Sequence, residues 1–481
     1  MLRRFLFLLG IFSIAFCWTD CKLAKQGSAP AVKATRSLEV REGITSPGAH
    51  YKEFCASCHG ANLKTFVTQK WKYGESKEEI MQSIRYGIED AGMPAYDTTF
   101  TQTELEALSL YILEGINNRK ETEAAIDKTA KYYQTKYHRL RVEEVITDLE
   151  VPWGIKVTKN GTIFFTERQG TLKCRQPDGT LFTIEGTPKV NAANQGGMLD
   201  VALHPDFEKN QLLYLSYSKI NSDDSDLTTT AVLRAKLVGK ELTEQQDIFE
   251  ALPYTTKRHH YGSRLVFDAE GLLYISVGDR GNRDRNPQYL DNGCGKIHRV
   301  HDDGRIPMDN PFYGKEGIVA SIWTYGNRNP QGLVYDVLTQ KIWAHEHGPK
   351  GGDELNLVKK GKNYGWPEVS YGINYNGTRF TDITEKEGIE PPLTFWTPSI
   401  APSGMALVLG TNYPAWQGNI LTGSLRFDYV SRIKMEGNKV LEEEKILEDI
   451  GRVRAIEMGA DGFLYLGVED PGRILKIRVV D

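Results

Sequence analysis

Two thiols and an imidazole stand side by side in this 481-residue sequence, as Cys55-Ala56-Ser57-Cys58-His59. In the order C-x-x-C-H, the two cysteines can add across the vinyl groups of a haem, and the next residue is placed to bind its iron. The alternative is a redox or zinc-binding C-x-x-C followed by an incidental histidine. The sequence contains no second C-x-x-C, which favours a covalent haem c.

A second iron ligand is available downstream in the triplet Gly92-Met93-Pro94. A lone methionine usually fills a core. Met93, however, follows a predicted helix over residues 79–87 and precedes a second one, residues 104–113, opened by the capping box Thr101-Gln-Thr-Glu104. The order helix, C-x-x-C-H, helix, G-M-P, helix over residues 45–117 resembles a small class I cytochrome c. That resemblance implies that His59 and Met93 are the two axial ligands and that the haem accepts electrons.

Beyond residue 140 the sequence changes to short β-runs separated by Gly, Asp and Asn. An alternating strand, a turn and a second apolar strand recur six times, which is typical of a β-propeller whose blades bury their faces only when the ring closes. We therefore predict a multidomain chain, with a small all-α domain followed by an all-β six-bladed propeller. The six copies begin near Trp153, Leu199, Arg264, Gly332, Gly404 and Arg454.

Polar residues at the predicted blade openings could carry chemistry. His260 precedes a strand, and Asp279 comes nineteen residues later, at the exit of the next strand. A hairpin would bring the carboxylate back to the imidazole and orient it as a general base. The alternative is a hydrogen-bonded loop histidine and a turn-forming aspartate.

Other predicted blade openings contain positively charged side chains, side-chain amides and backbone carbonyl groups that could bind a ligand. Arg328 and Asn329 lie at a blade entrance, and the loop around Gly348 and Pro349 leads into an acidic G-G-D-E sequence that suits calcium, which prefers oxygen ligands. Single arginines are usually solvated, but cations that converge on a propeller axis could hold a polyanionic ligand. Near the end of the sequence, the arginines that could hold such a ligand are Arg426, Arg452 and Arg454.

Residues 140–481 resemble the soluble aldose sugar dehydrogenases that depend on pyrroloquinoline quinone (PQQ), which are relatives of soluble glucose dehydrogenase. The family is a six-bladed propeller, in agreement with the repeats. The motifs that carry the resemblance are NQGGML with LHPDF, HYGSRL, VGDRG, GNRNPQG, HGPKGGDEL, NYGWP and SIAPS, in that order.

The resemblance implies a role for each matching residue. His260 would remove the proton of the anomeric hydroxyl, Asp279 would orient its ring, and Arg328 would face the oxyanion that develops on the quinone. Hydride would pass from the sugar C1 to PQQ. The remaining roles are cofactor binding by Asn329, Ser399, Arg426, Arg452 and Arg454, calcium binding by the carbonyl groups of Gly348 and Pro349, and proximity to the substrate for Gln195.

The sequence departs from the family at two of these positions. His347 stands before Gly-Pro where the family often has an amide or an acid, which puts the calcium shell in doubt. Arg426 stands where the glucose enzymes carry lysine, which favours the aldose sugar branch. The loops that would shape the sugar pocket are not recognisable, so the sugar is left open.

The N-terminal region predicts export. Residues 1–21 have the basic start and apolar run of a signal peptide, with a buried helix as the alternative, and residues 22–44 predict a flexible tether. Cys17 or Cys21 could carry a lipid anchor, so the expected location is periplasmic or membrane-anchored. Residues 118–139 predict a charged linker. Cys174 and Cys294 could pair, but buried thiols are favoured.

The combined prediction is an exported quinohaem oxidoreductase with haem c, PQQ and calcium. It would oxidise an aldose at C1 and pass electrons through the fused haem to a respiratory acceptor. A formal net charge of -4 gives no general attraction to nucleic acid. The alternatives are a haem-tethered propeller that binds a sugar or partner without catalysis, and a dehydrogenase of sorbosone-like aldehydes or other alcohols.

Overall fold

The computed structural model describes residues 46–60, 63, 66, 71, 73–88, 92–122 and 131–480, with the backbone alone at 57, 58 and 117–122. The predicted signal peptide, the tether, Cys17 and Cys21 lie outside the described residues. Within the described part of the chain, no helix is long and apolar enough to cross a membrane.

The N-terminal domain is helical, as predicted. It contains α1 (Pro47–His50), a π-helical turn (Tyr51–Cys55), α2 (Ala56–His59), α3 (Lys77–Tyr86) and α4 (Gln102–Thr122). A capping box formed by Ser76 and Glu79 starts α3. At the start of α4, the amide of Glu104 donates to Thr101 Oγ1 (3.3 Å) and the amide of Thr101 donates to Glu104 Oε2 (2.8 Å). Helix α4 extends past the predicted end at residue 113, so the segment predicted as a linker begins as helix.

The strands form six antiparallel sheets, which confirms the predicted six-bladed propeller. Each of the first five blades pairs its four strands in chain order, since antiparallel neighbours can be joined by a direct connection, short or long. Blade 1 has β3 (Pro152–Val157), β4 (Ile163–Glu167), β5 (Thr171–Arg175) and β6 (Leu181–Ile184). Blade 2 has β7 (Met198–Leu203), β8 (Leu212–Ile220), β9 (Thr228–Val238) and β10 (Glu241–Glu250), with the short helix α5 (Phe207–Asn210) between β7 and β8.

The next three blades repeat this order. Blade 3 has β11 (Leu265–Phe267), β12 (Leu272–Val277), β13 (Lys296–His301) and β14 (Ile322–Tyr325). Blade 4 has β15 (Pro330–Asp336), β16 (Lys341–Glu346), β17 (Asp353–Val358) and β18 (Thr394–Trp396). Blade 5 has β19 (Pro402–Leu407), β20 (Ile420–Ser424), β21 (Val430–Glu436) and β22 (Lys439–Ile446).

The sixth blade closes the ring with strands from both ends of the domain. Its C-terminal strands are β23 (Arg452–Met458), β24 (Leu464–Glu469) and β25 (Gly472–Val479). Strand β25 pairs with β2 (Arg139–Leu149), with Leu140 opposite Val479, and β2 pairs with β1 (Lys131–Gln134). Strand β1 lies within the segment predicted as a linker. Because this blade combines strands from both ends of the domain, it joins the start of the propeller to its end and closes the ring.

The hydrophobic core lies between blades. Phe164 and Leu172 of blade 1 pack with Met198, Val201 and Leu213 of blade 2 in one buried cluster. Burying a side chain of this size contributes about 1.5–3 kcal/mol. A blade alone would expose these faces, so the ring provides the core.

Arg264 lies at the start of β11 and connects several blades near the centre of the ring. It is 6% exposed, and its guanidinium donates to the carbonyl oxygens of Gln331 (2.8 Å) and Arg454 (2.9 Å) and pairs with Asp200 (3.4 Å). The guanidinium also lies over the ring of Trp153. Burial lowers the pKa of Arg264 to about 10, so the group remains charged at neutral pH.

Candidate active site and haem site

His260 and Asp279 meet at one edge of blade 3. His260 precedes β11 and Asp279 follows β12, so pairing of these strands brings both residues to the same end, as the sequence predicted. His260 Nδ1 and Asp279 Oδ1 are 2.7 Å apart. Asp279 also accepts hydrogen bonds from the indole of Trp366 (2.9 Å) and the amide of Gly281 (2.8 Å). The carboxylate therefore fixes the orientation of the imidazole.

The pKa values of the pair suit a neutral base beside a charged carboxylate. Burial lowers the pKa of His260, and the opposing attraction of Asp279 does not restore it. Burial alone would raise the pKa of Asp279, but His260 and Arg328 hold it below its ordinary value. An imidazole held neutral in this way can accept a proton at its other nitrogen.

The backbone around His260 is held in an uncommon conformation. The φ of His260 is +55°, in the left-handed region, and its amide donates to Gln195 Oε1 at 2.8 Å. Gln195, which was predicted near the substrate, therefore holds the backbone of His260, the predicted base, and also lines the cavity. Gly278 is required nearby, because a Cβ there would lie 2.2 Å from the carbonyl oxygen of His260. Strain of this kind persists only where the surroundings enforce it.

Arg328 and Asn329 face the same cavity. Arg328 Nη1 donates to the carbonyl oxygen of Gly348 at 2.8 Å, and its buried Nε has no hydrogen-bond partner within the described part of the chain. Asn329 Oδ1 accepts from the amide of Gly262 at 3.1 Å, which holds the loop that follows His260. Both residues therefore present polar groups to the cavity.

Cations accumulate on the opposite wall of the cavity. Arg452 and Arg454, both on β23, share one carboxylate, Glu469, at 3.0 Å and 2.6 Å. These arginines lower the pKa of Glu469 to about 2 against the effect of burial. Arg168 lines the same wall. One carboxylate does not neutralise three guanidinium groups, so the wall suits a polyanionic ligand.

Ser399 and Arg426 differ in whether they line the cavity. Ser399 lines the cavity, and its hydroxyl donates to Asp353 Oδ2 at 2.6 Å. Arg426 is not among the lining residues; its guanidinium donates to the carbonyl oxygen of Ser399 (3.0 Å) and to that of Lys52 in the helical domain (2.6 Å). The predicted role of Arg426 in binding a cofactor carboxylate remains a prediction.

The loop predicted to bind calcium combines carbonyl groups with buried acids. Gly348 and Pro349 line the cavity, and the amide of Gly348 donates to Asp353 Oδ1 at 2.9 Å. Burial raises the pKa of Asp353 to about 6 and that of Glu346 to about 7. Within the described part of the chain, no group of three or more His, Cys, Asp or Glu side chains could hold a metal. A hard cation here would therefore rely on the carbonyl oxygens, with the acidic loop favouring it electrostatically.

The residues predicted to hold the haem line the same cavity as the base. Cys55 is a buried thiol, and His59 stacks on Phe66 with ring centroids 4.7 Å apart. Burial, and secondarily Arg452, lower the pKa of His59 to about 4, which keeps the imidazole in the neutral form that binds iron. Met93 pairs with Ile88 in a short antiparallel bridge. The side chain of Cys58 lies outside the described residues.

A single cavity of about 550 Å³ connects the two sets of residues. From the helical domain it is lined by apolar groups and by the iron-ligand candidates His59 and Met93. From the propeller it is lined by His260, Arg328 and Arg452. The haem side and the propeller mouth therefore open on one space.

Comparison with known proteins assigns both parts of the chain. A family model described as "Glucose / Sorbosone dehydrogenase" matches residues 149–476, and one described as "Cytochrome C oxidase, cbb3-type, subunit III" matches residues 42–112. The aldose sugar dehydrogenase YliI of Escherichia coli is 39% identical over 341 residues, covering 69% of this chain and 92% of that protein.

Solved structures give the same result. The apo form of the soluble aldose sugar dehydrogenase from Escherichia coli superposes with a TM-score of 0.68 at 37% identity, covering 71% of this chain and all of that one. The PQQ-bound aldose sugar dehydrogenase from Streptomyces coelicolor gives 0.59 at 26% identity, covering 74% of this chain and all of that one. The chain belongs to the glucose/sorbosone dehydrogenase family and carries an additional cytochrome c domain.

Three residues that contribute to the site were not predicted as site residues from the sequence. Trp366 was recognised only as part of a motif, Glu469 was not singled out, and Arg168 carried no signal at all. The two remaining thiols were predicted correctly: Cys174 and Cys294 are buried and free. Burial raises the pKa of each to about 11, so neither is a reactive thiolate at neutral pH.

Proposed function

We propose that this protein is a quinohaem sugar dehydrogenase, which oxidises an aldose at C1 with PQQ and passes the electrons to its own haem c. The observation that carries the proposal is the oriented pair of His260 and Asp279 in a cavity shared with His59 and Met93. When bound, PQQ supplies a quinone that accepts a hydride and haem supplies a one-electron acceptor.

His260 acts as the general base in this proposal. Its Nδ1 is engaged by Asp279, which leaves Nε2 to accept the proton of the anomeric hydroxyl. Gln195 holds the backbone of the base in place. Loss of that proton makes the carbon–hydrogen bond at C1 a better hydride donor, and general-base catalysis of this kind contributes about 10²–10⁴-fold.

The cationic wall would hold the carboxylates of PQQ. Arg452 and Arg454 provide two guanidinium groups at alternate positions of β23, and Arg328 adds a third guanidinium to the lining of the same cavity. Asn329 and Ser399 would provide neutral polar contacts. Fixed cations stabilise negative charge in a cavity more strongly than solvent does.

The carbonyl oxygens of Gly348 and Pro349 would hold a calcium ion. Arg328 donates to the Gly348 oxygen at 2.8 Å, so calcium would compete with the guanidinium for this carbonyl group. Its contribution would be the polarisation of the quinone oxygen.

The test uses the full-length protein reconstituted with PQQ and calcium under anaerobic conditions, with the haem absorption bands followed after each of a panel of aldoses is added. We expect an aldose to reduce the haem, whereas PQQ and calcium without sugar do not. An oxidised spectrum across the whole panel, together with no reduction of an added redox dye, would contradict the proposal.

The axial ligand is tested separately by Met93→Ala. We expect this variant to lose the low-spin spectrum of a His/Met-ligated haem and to retain sugar-dependent reduction of a dye, because the base lies on the propeller. An unchanged spectrum would show that another residue binds the iron.

Two other functions are discriminated by the same assays. A propeller that only binds sugar would show affinity for an aldose without dye reduction, although the base, the cations and the family membership argue against it. A preference for sorbosone-like aldehydes or other alcohols would appear in the substrate panel, and the family description includes sorbosone dehydrogenase.

The proposal also includes export of the protein. We propose that residues 1–21 direct the chain to the periplasm and that a respiratory acceptor there reoxidises the haem. A membrane anchor at Cys17 or Cys21 is part of the same hypothesis, and detection of lipid on the N-terminal peptide by mass spectrometry would test it.

A further inference from the structure

The segment that attaches the haem lies directly on the propeller. Lys350 follows the predicted calcium-binding carbonyl groups of Gly348 and Pro349, and its ammonium forms a 2.7 Å ion pair with Glu53. The same ammonium lies 4.0 Å from the ring centroid of Phe54, the residue before Cys55. One propeller side chain therefore contacts both residues that precede the first haem-binding cysteine.

The burial of Lys350 depends on this contact with the helical domain. Its side chain is only 12% exposed, which is unusual for a lysine, whereas that of Glu53 is 47% exposed. The Phe54 ring that covers it is buried among residues of the helical domain, and edge-to-face contacts with Tyr96 and Phe100 hold it there. The lysine is thus placed for an ion pair and a cation–π contact at once.

Two further contacts place the helical domain over the mouth of the propeller. Arg426 Nη2 donates to the carbonyl oxygen of Lys52 at 2.6 Å, beside Glu53. On the opposite side of the iron-ligand pair, Gly92 packs so closely on His259 that a Cβ there would lie 3.1 Å from the ring. A segment next to each iron-ligand candidate therefore touches the propeller, and the contact of Gly92 lies beside His260.

We propose that Lys350 is a positioning residue for electron transfer: its contacts with Glu53 and Phe54 hold the haem domain against the propeller mouth. This inference rests on the proposed function. Oxidation of one aldose to its lactone releases a hydride from C1 and a proton from the hydroxyl, which amount to two electrons and two protons. In this proposal the quinone of PQQ takes up the hydride and His260 takes up the hydroxyl proton. Both protons end in solvent, and the two electrons leave singly through the haem to two equivalents of an external one-electron oxidant.

The first experiment detects the docking itself. Treatment of the full-length holoprotein with a zero-length carbodiimide should join Lys350 to Glu53, because amide formation requires a carboxylate in contact with an amine. Mass spectrometry of the digested protein should find this cross-link at low ionic strength and less of it at high salt, since the pair is partly exposed. Absence of the cross-link at both salt concentrations would overturn the proposed docking.

The second experiment compares internal with external electron transfer in Lys350→Met. Stopped-flow reduction of the haem by an aldose should slow about tenfold, the size expected when an ion pair and a cation–π contact are both lost. Reduction of a small redox dye, which does not need the haem domain, should stay within about twofold. The charge exchange Lys350→Glu with Glu53→Lys should recover part of the lost rate.

Lys476 provides a matched control inside the propeller. Its side chain is 13% exposed, pairs with Asp461 at 2.9 Å and lies 4.0 Å from the ring centroid of Phe463. Lys476→Met should therefore disturb folding as much as Lys350→Met but leave haem reduction unchanged. Equal slowing in the two variants, or no slowing in Lys350→Met, would overturn the role of Lys350. Failure of wild-type dye reduction would instead refute the proposed function.

Discussion

The helical domain and the propeller build their sites over very different distances along the chain. Cys55 and His59 lie on consecutive helical turns, and Met93 follows one helix later. In the propeller, His260 depends on Gln195 for its backbone and on Asp279 for its ring, while Trp366 holds Asp279 from a third region. The predicted haem site therefore depends on neighbouring segments, whereas the predicted catalytic site combines residues from several blades.

The two regions also differ in how they treat charge. The residues that face the haem side are mainly apolar, such as Ile80, Ile84 and Ile112. The propeller side contains buried arginines and buried acids. A single blade could not supply all the partners that neutralise these charges. We therefore expect propeller substitutions to affect chemistry and global stability together, and substitutions in the helical domain to have smaller, local effects.

The largest expected effect is on the base. His260→Asn should lower dye-linked turnover by about 10²–10⁴-fold, since asparagine tolerates the positive φ of this position but cannot accept the proton. Steady-state kinetics with a redox dye measures the loss. As a control, His204→Asn replaces another histidine near a carboxylate, Asp302 at 3.8 Å, and should keep full turnover. Equal activity of the two variants would exclude His260 as the base.

The next effect concerns the closure of the ring. Arg264→Met should destabilise the propeller by about 3–5 kcal/mol, because it leaves Asp200 buried without its cation and frees the carbonyl groups that Arg264 joins. Denaturant unfolding of the apoprotein measures this free energy. Arg305→Met, which breaks the exposed pair with Asp303, should change it by less than about 0.5 kcal/mol. A small effect of Arg264→Met would mean that packing alone closes the ring.

The orientation of the base gives a pH-dependent prediction. Asp279→Asn should reduce dye-linked turnover by about 10²-fold, since the imidazole loses its fixed orientation. Because the carboxylate raises the pKa of His260 against the effect of burial, its removal should move the acid limb of the kcat/KM profile to lower pH. In the wild type this limb should already lie below pH 6.5, the ordinary pKa of histidine. A shift to higher pH would contradict the assignment.

The smallest effect is expected in the helical domain. Ser76→Ala removes the capping box of α3 and should cost about 0.5–2 kcal/mol of local stability. Loss of the haem-domain signal on heating would report it, while dye-linked turnover should not change. Gln82→Ala, at an exposed position in the middle of the same helix, should be neutral, since alanine favours helices. A change in turnover in either variant would show that the two regions are coupled more tightly than their contacts suggest.

The sequence alone determined the elements and the local chemistry. The C-x-x-C-H motif, the Thr101–Glu104 helix cap and all six strand pairs could be predicted, because each depends on residues close together in the chain. The cap formed by Ser76 and Glu79 was not predicted. The approach of Asp279 to His260 was also predictable, since one hairpin joins them. The structure of residues 118–139 was harder to predict, because helix α4 extends into this segment from one side and strand β1 lies within it on the other.

Only the tertiary structure decided which distant residues meet. Trp366 reaches Asp279, Arg426 reaches the helical domain and Lys350 pairs with Glu53, and no spacing in the sequence indicates any of these contacts. Blade closure and domain docking fix such pairs through surfaces built from the whole chain. The motif at Cys55–His59 predicts a haem site, but its position beside the propeller cavity is a property of the fold.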